Sequence, residues 1–493
     1  MTGRSNRKSF DLLLLVLSFL GSGVVSVFLG QDGNWDLRNY HFYNAYSFLN
    51  GRLTYDIAPA QVQSFHNPLM DVPFYWMMTH LKPVLYGFLV GGMQGFNFWL
   101  VYKITYTILN DLSETRRQLL SLASGLAGYY GAANLSEIGT TFYDNVTSLF
   151  VLSALLLIIS WISSGQLRSE NVSRKNAVIA GFLLGCGTGL KLPAAIYSLA
   201  FAVSLLSLKS QWKAKFSNVL LSSLGICLGI LTTMGYWMTV LWKNFRSPLF
   251  PYYNKIFRSP YYKFSNIHDD RFFPRDKYQV LFYPFHTFFV VFFVLSYVIW
   301  QHMFSIYRYI VPLELLSPVF IILVMRYIFP SGRILFRVSL GIFVVMILTM
   351  SPMNWGRVPW TESYFGVKLP ALTNIADATV IMADNEPLSY IIPSFPERTR
   401  FVSVKNNFMR PDLHNMLQEK IRDTLRTCGK RIYLLYRSRS REDYVSILAY
   451  YNLKMDRKSA AKIFTKFDND LYLVPVSRIQ TTMSVAHVAG LRR

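Results

Sequence analysis

Long apolar runs recur through residues 1–352 of this 493-residue chain and restrict its possible folds more than any other feature. A bilayer core of about 30 Å is crossed by roughly 20 helical residues, and it admits few other backbone conformations. The sequence therefore predicts an α-helical polytopic membrane protein with about ten transmembrane helices. The predicted spans are 9–29, 84–109, 117–133, 145–163, 176–190, 193–207, 217–242, 279–303, 312–329 and 333–352.

The distribution of basic residues predicts the orientation of these spans. Lys and Arg number 50 against 27 Asp and Glu, a formal net charge of +23. In a polytopic protein such an excess is typical of cytoplasmic loops and of contact with anionic lipid, so it does not indicate nucleic-acid binding. Short basic loops contain Arg116 with Arg117, Arg168 with Arg174 and Lys175, and residues 209–215. We therefore expect a cytoplasmic N-terminus and external loops at 30–83, 134–144 and 243–278.

After residue 352 the apolar runs shorten to strand length, which predicts a small α/β domain over 353–493. Strand patterns occur at 379–383, 400–404, 431–436, 461–465 and 471–474, and helical spacing at 411–427 and 442–451. Strands that alternate with helices favour a mostly parallel sheet. The domain contains no Gly-rich phosphate loop, so no nucleotide is assigned to it.

Polar residues that are costly to hold beside a membrane collect near the predicted outer ends of the spans. The candidates are Asp36, Arg38, Tyr40, His41, Glu137, Asp144, Lys191 and Arg308. A partly desolvated carboxylate can accept the proton of an attacking hydroxyl, while Lys and Arg match the negative charge of a phosphate leaving group. Apolar helices would supply a groove for a lipid tail. The set therefore indicates group transfer from a lipid phosphate.

Four short motifs carry a resemblance to a known family. Asp36 comes soon after the first span. A later external loop contains a second acidic residue, which is either Glu137 or Asp144. A third motif, Gly187-Thr188-Gly189-Leu190-Lys191-Leu192-Pro193, is similar to a Gly-x-x-Lys-x-x break between short spans. The segment Ile306-Tyr307-Arg308-Tyr309-Ile310-Val311-Pro312 resembles an Arg-Tyr-x-x-Pro segment. Together with the architecture of residues 9–350, these motifs resemble the GT-C superfamily of polytopic membrane glycosyltransferases.

The resemblance implies an enzyme of the bacterial inner (plasma) membrane. It would move a hexosyl or pentosyl group, with inversion, from a polyprenyl-phosphate carrier to a glycan, lipid or protein acceptor at the outer face. Asp36 would be the catalytic carboxylate. A divalent cation, Mg or Mn, would have Asp36, Glu137 or Asp144 as its ligands. The other candidates listed above would contact substrate.

Each candidate also has a structural alternative. Asp36 can cap the helix that follows it, and Asp144 can cap the next span. Lys191 can extend its amine to the lipid–water interface, and Arg308 can be an interfacial anchor. Arg38 either binds a carrier phosphate or pairs with Asp36. For the whole chain, the alternatives are a non-enzymatic lipid or glycan transporter and an inactive structural member of the family.

Span counting and the family resemblance disagree on the side of the membrane where the C-terminal domain lies. If 279–303 crosses once, the even number of spans leaves Arg308 and residues 353–493 in the cytoplasm, whereas the resemblance implies the outer face. Hydropathy separates one crossing from two least well at 67–108 and 279–303. We therefore expect the external side.

Overall fold

The structure is a computed structural model, and it describes residues 2–163, 174–208, 211–265, 287–371, 375–428, 431–440 and 442–479. Arg168, residues 209–210, part of the predicted loop 243–278 and residues 279–286 of a predicted span lie outside these ranges. Contacts divide the chain into two compact units. The first comprises Met1–Leu37, Asn67–Lys243 and Asn266–Tyr364, and the second comprises Arg38–His66, Asn244–Ser265 and Phe365–Arg493.

The described α-helices are numbered in chain order. They are α1 (Thr2–Leu29), α2 (Phe42–Leu49), α3 (Asp71–His80), α4 (Pro83–Gln94), α5 (Phe96–Ile108), α6 (Glu114–Tyr129), α7 (Ala132–Glu137), α8 (Asp144–Ser163), α9 (Arg174–Leu190), α10 (Ala195–Ser204), α11 (Trp212–Phe245), α12 (Asn254–Phe257), α13 (Thr287–Met303), α14 (Val311–Ile328), α15 (Gly332–Thr349), α16 (Met416–Thr427) and α17 (Tyr444–Tyr450).

Six helical segments among the described residues are long and apolar enough to cross a membrane. They are Arg7–Leu29, Pro83–Ile108, Asp144–Ser163, Trp212–Phe245, Tyr307–Ile328 and Gly332–Thr349. Helices also occupy the other predicted spans, but α6 and α9 have only 16 and 17 residues. Leu192–Ser207 and Phe288–Met303 are apolar and short as well. The chain is an α-helical membrane protein by these criteria, and the number of about ten spans stays a prediction.

Small residues let α1 and α4 pack closely. The Ser22 hydroxyl donates to the Gly91 carbonyl at 2.6 Å, and the Ser26 hydroxyl donates to the Gly87 carbonyl at 2.7 Å. A Cβ atom added at Gly91 would lie 2.3 Å from Ser26 Cβ. Such contacts are typical of helix pairs in membranes, where small side chains allow the backbones to approach. This packing fixes the end of α1 and thereby the start of the loop that carries Asp36.

The second unit contains one six-stranded sheet among the described residues. Its strands are β1 (Thr379–Met382), β2 (Arg400–Ser403), β3 (Ile432–Arg437), β4 (Leu453–Met455), β5 (Ala461–Ile463) and β6 (Leu471–Arg478), in the order β2-β1-β3-β6-β4 with β5 also on β6. The pairs β1–β2 and β1–β3 are parallel, whereas β6 is antiparallel to β3, β4 and β5. The prediction of a mostly parallel sheet is therefore wrong.

One physical reason lies in the short connection between β5 and β6. The chain between β5 and β6 is too short for the crossover that a parallel pair requires, so the two strands can pair only as a hairpin. β4 was not predicted, because it has three residues of which only Leu453 is buried. The other five strands overlap the predicted ones.

Two segments from the predicted membrane part fold with this sheet. The Ile57 N–H donates to the Phe401 carbonyl at 2.9 Å, and the Ser403 N–H donates to the Ile57 carbonyl at 3.0 Å. From the other segment, the Pro260 carbonyl accepts the Met416 N–H at 3.2 Å. With the domain boundary predicted after residue 352, both segments would belong to the membrane domain. Single bridges such as that of Ile57 leave no periodic pattern from which a sequence can predict them.

Candidate functional site

Four of the predicted site residues form two ion pairs in the first unit. Arg308 Nη1 lies 2.6 Å from Asp36 Oδ2, and Lys191 Nζ lies 2.7 Å from Asp144 Oδ2. Asp36 follows α1, Asp144 begins α8, Lys191 follows α9 and Arg308 precedes α14. Four separate helices thus bring together charges that are far apart in sequence.

Two aromatic residues connect the pairs. The Lys191 amine donates to the Phe142 carbonyl at 2.5 Å, and the Arg308 guanidinium carbon lies 4.4 Å from the centre of the Phe142 ring. The Tyr309 ring centre lies 5.2 Å from Lys191 Nζ and 5.3 Å from the Arg308 guanidinium carbon. Both cations therefore share the same two aromatic neighbours.

Glu137 is the third acid of this cluster and is 1% exposed. Neither of its carboxylate oxygens has a hydrogen-bond partner in the described part of the structure. Burial, and next the charge of Asp144, raise the pKa of Glu137 well above its ordinary value, against the opposing effect of Lys191 and Arg308. An unsatisfied buried acid beside two cations is an arrangement found at functional sites.

Asn34 and Asp32 shape the loop that presents Asp36. The Asn34 Oδ1 atom accepts the Leu37 N–H at 2.8 Å, which is the type of capping contact that the structural alternative gave to Asp36. Asp32 Oδ2 accepts the Thr141 N–H at 2.8 Å and the Thr141 hydroxyl at 2.9 Å. Neither Asp32 nor Asn34 was predicted, although an Asp-Gly-Asn sequence is a turn signal.

Asn67 supports the chain break at Lys191. Its side-chain amide donates to the carbonyls of Gly189 and Thr233, at 2.8 Å in each case. Leu190 ends α9, and a short turn, Leu192–Ala194, leads into α10. The Lys191 side chain is 12% exposed, and its amine faces the Asp144 carboxylate.

Arg38, Tyr40 and His41 belong to the second unit. Arg38 Nη1 lies 3.6 Å from Asp468 Oδ2, and the predicted alternatives for Arg38, a carrier phosphate or Asp36 as its partner, stay predictions. The Tyr40 and His41 ring centres are 4.0 Å apart. Their predicted roles in substrate binding stay predictions.

The described residues contain no group of three or more His, Cys, Asp or Glu side chains placed to hold a metal ion. Asp36 and Asp144 each direct an oxygen at a cationic side chain. The predicted Mg or Mn ligands, Asp36, Glu137 and Asp144, therefore lie in a cluster whose charge is partly neutralised by protein groups. The divalent cation stays a prediction.

Three comparisons with known proteins bear on this site. No protein-family model, no curated protein and no solved structure matches the chain.

Proposed function

We propose that the first unit is a membrane glycosyltransferase that moves a sugar from a polyprenyl-phosphate carrier to a hydroxyl acceptor. The observation that supports this best is the pair of adjacent cations, Lys191 and Arg308, each of which faces a carboxylate. Two cations can bind the negative charge of a phosphate, and a nearby carboxylate can accept the proton that the acceptor hydroxyl must lose. The surrounding apolar helices suit a lipid tail.

The transfer follows from these roles. The acceptor oxygen attacks the anomeric carbon while Asp36 takes its proton, and the bond between that carbon and the phosphate oxygen breaks. Lys191 and Arg308 stabilise the negative charge that develops on the leaving phosphate. The products are the glycosylated acceptor, the free carrier phosphate and a protonated Asp36, which returns its proton to water.

The ion pairs indicate an order for the steps of this reaction, with donor binding before proton transfer. Arg308 contacts Asp36 through Nη1 at 2.6 Å, so a phosphate that binds the guanidinium would compete with this carboxylate for the same cation. A carrier phosphate that binds Arg308 would displace the carboxylate and leave Asp36 available as a base. Donor binding would thus activate the base before the acceptor reacts, and Lys191 with Asp144 offers a second such exchange.

Asp36→Asn tests this proposal, with Asp11→Asn as the matched control. Asp11 lies on α1 and pairs with Lys103 at 2.6 Å, the same distance as the Asp36 pair. We expect Asp36→Asn to lower transfer by purified protein by about 10²-fold or more, since the base is lost. It should bind sugar-free polyprenyl phosphate more tightly, because Arg308 is released from its carboxylate.

The control variant should change neither transfer nor binding. Near-normal transfer by Asp36→Asn contradicts its role as a base. Unchanged or weaker carrier binding contradicts the exchange of ion pairs, while an absence of carrier binding by the wild-type protein contradicts the proposed function.

We also propose that the second unit lies on the outer face. A folded unit cannot be split across a membrane, so the chain must cross an even number of times between residues 66 and 244, and again between 265 and 365. In the first interval the six predicted spans meet this condition, whereas the three segments that are long and apolar enough by themselves do not, so α6, α9 and α10 would have to cross as well. In the second interval Tyr307–Ile328 and Gly332–Thr349 would supply two crossings, and a crossing by Phe288–Met303 would make three. A cytoplasmic N-terminus then leaves the unit outside.

Cys428 permits a direct measurement of this side. It is partly exposed, whereas Cys186 is buried in α9 and Cys227 lies on α11. In a variant that lacks the other two cysteines, we expect a membrane-impermeant thiol reagent to label Cys428 in intact cells. A denatured sample controls for access of the reagent to the thiol. Labelling only after the inner membrane is opened contradicts the external placement.

A further inference from the structure

The segment that follows α15 forms a tight turn around Trp355. Within this turn the Asn354 Oδ1 atom accepts the Gly356 N–H at 2.9 Å and the Arg357 N–H at 2.8 Å. Gly356 has a φ angle of +91°, in the left-handed region that favours glycine. A local hydrogen-bond pattern and one glycine therefore determine the backbone that presents the Trp355 indole.

Both sides of this turn are anchored in the first unit. On one side, the Met353 N–H donates to the Ser136 hydroxyl at 2.7 Å. On the other, the Arg357 guanidinium donates to the carbonyls of Ser136 and Gly30, at 3.0 Å in each case. Ser136 belongs to α7, and Gly30 begins the loop that leads to Asp36. The turn is thus fixed to two segments of the candidate site.

The Trp355 ring packs against Phe142, with 5.6 Å between the ring centres and an interplanar angle of 75°. Phe142 contacts both cations of the site, because its carbonyl accepts the Lys191 amine and its ring centre lies 4.4 Å from the Arg308 guanidinium carbon. The indole is therefore separated by one aromatic ring from the groups proposed to bind the carrier phosphate. A sugar is joined to that phosphate through one oxygen atom, so it must lie close to the same cations.

The indole N–H of Trp355 is buried and has no hydrogen-bond partner in the part of the chain that the structure describes. In the same segment the Trp360 Nε1 atom donates to the Val27 carbonyl at 2.8 Å, as a buried indole usually does. Burial of a donor without a partner costs free energy. The Trp355 donor is therefore a candidate for contact with a ligand.

The polar groups without partners in this region match a hydroxyl better than an anion. Trp355 offers a donor, and the two carboxylate oxygens of Glu137, the residue after Ser136, are acceptors without a hydrogen bond among the described residues. A phosphate needs donors only, whereas a hydroxyl both donates and accepts. An indole also presents a large apolar face, which suits the C–H face of a sugar ring. These groups therefore favour a sugar as the ligand.

We propose that Trp355 binds the sugar of the lipid-linked donor, with its ring as a platform and its indole N–H as the hydrogen-bond donor to a sugar hydroxyl. This role rests on the proposed function, and it adds the residue that distinguishes the sugar-carrying donor from the free carrier. Lys191 and Arg308 bind the phosphate that both ligands share. Trp355 contacts only the part in which they differ, so it should affect the affinity for one ligand and not for the other.

Two variants separate the ring of Trp355 from its N–H group. Trp355→Phe keeps an aromatic ring and removes the donor, and Trp355→Leu removes both. The ligands are a short-chain polyprenyl phosphate and its glucosyl and arabinosyl esters, with binding to purified protein measured by isothermal titration in detergent. For the ester that wild type binds more tightly, we expect Trp355→Phe to lower affinity by about threefold to tenfold, the scale of one hydrogen bond. Trp355→Leu should lower it by about tenfold to a hundredfold.

Affinity for the free polyprenyl phosphate should equal the wild-type value in both variants, which also shows that they fold. Trp360→Phe is the matched control, because the indole N–H that it removes already has a partner in Val27. It should leave the ratio of ester affinity to free-phosphate affinity unchanged.

Equal affinity of wild type for the free phosphate and both esters overturns this role of Trp355, because the sugar would then contribute nothing to binding. An unchanged ratio of the two affinities in Trp355→Leu overturns it as well, and an equal loss for both ligands would make the turn structural. In either case binding of the free phosphate would leave the proposed function standing. Wild-type protein that binds none of the ligands would refute the proposed function itself.

Discussion

The two units hold buried acids in different ways. In the second unit the Asp468 side chain is fully buried, pairs with Arg437 at 2.8 Å and accepts the Tyr390 hydroxyl at 2.5 Å. In the first unit Glu137 is also buried, yet neither of its carboxylate oxygens accepts a hydrogen bond in the described structure. Burial of charge alone is therefore a poor sign of function. A buried acid that an ion pair and a hydrogen bond engage stabilises a fold, whereas a buried acid without a hydrogen bond beside cations is a candidate for contact with a substrate.

Asp468→Asn tests the structural side of this comparison and should have the largest effect on stability. The change weakens a buried ion pair and leaves Arg437 with less compensation, which costs about 3 kcal/mol. We expect faster hydrogen exchange throughout β1 and β3, because the sheet would open more often. Arg410, whose pair with Asp412 is exposed, supplies a control: Asp412→Asn should leave exchange unchanged. Equal exchange in Asp468→Asn and wild type would show that the network is not structural.

Lys191→Met tests the functional side and should have the next largest effect. The change keeps the length of the stem and deletes the charge, so affinity for polyprenyl phosphate should fall by roughly 1.5 to 3 kcal/mol, the scale of a charge-assisted hydrogen bond. Lys103→Met, at a second Lys–Asp pair of this unit, should bind the carrier as wild type does. Isothermal titration in detergent measures both. Unchanged carrier binding by Lys191→Met would show that the ion pair between Lys191 and Asp144 has a structural role, like the ion pair between Asp468 and Arg437.

Glu137→Gln should have the smallest effect and the opposite sign to that of Asp468→Asn. The folded pKa of Glu137 lies above the unfolded value of about 4.3, so the folded state binds the extra proton and wild-type stability falls as pH rises between the two values. The glutamine cannot ionise and avoids this loss. We expect a higher Tm for Glu137→Gln than for wild type at pH 7, and nearly equal Tm values near pH 4. A lower Tm at pH 7 would mean that the Glu137 carboxylate stabilises the fold.

The sequence by itself determined the membrane character of the chain and the position of most helices and strands. Apolar runs such as that of α8 and alternating strands such as β3 are local patterns, and local periodicity is enough to predict an element. The polar candidates were also found from sequence, because a charge beside a membrane span is costly wherever the chain goes.

Tertiary structure alone decided the partners. The Asp36–Arg308 ion pair, the hydrogen bond from Thr141 to Asp32 and the bridge from Ile57 to the sheet all join residues that are far apart in sequence. Such contacts depend on where whole helices pack, and no local pattern records them. The position of β6 beside β3 is of the same kind, since β4 and β5 lie between these two strands in the chain but not in the sheet.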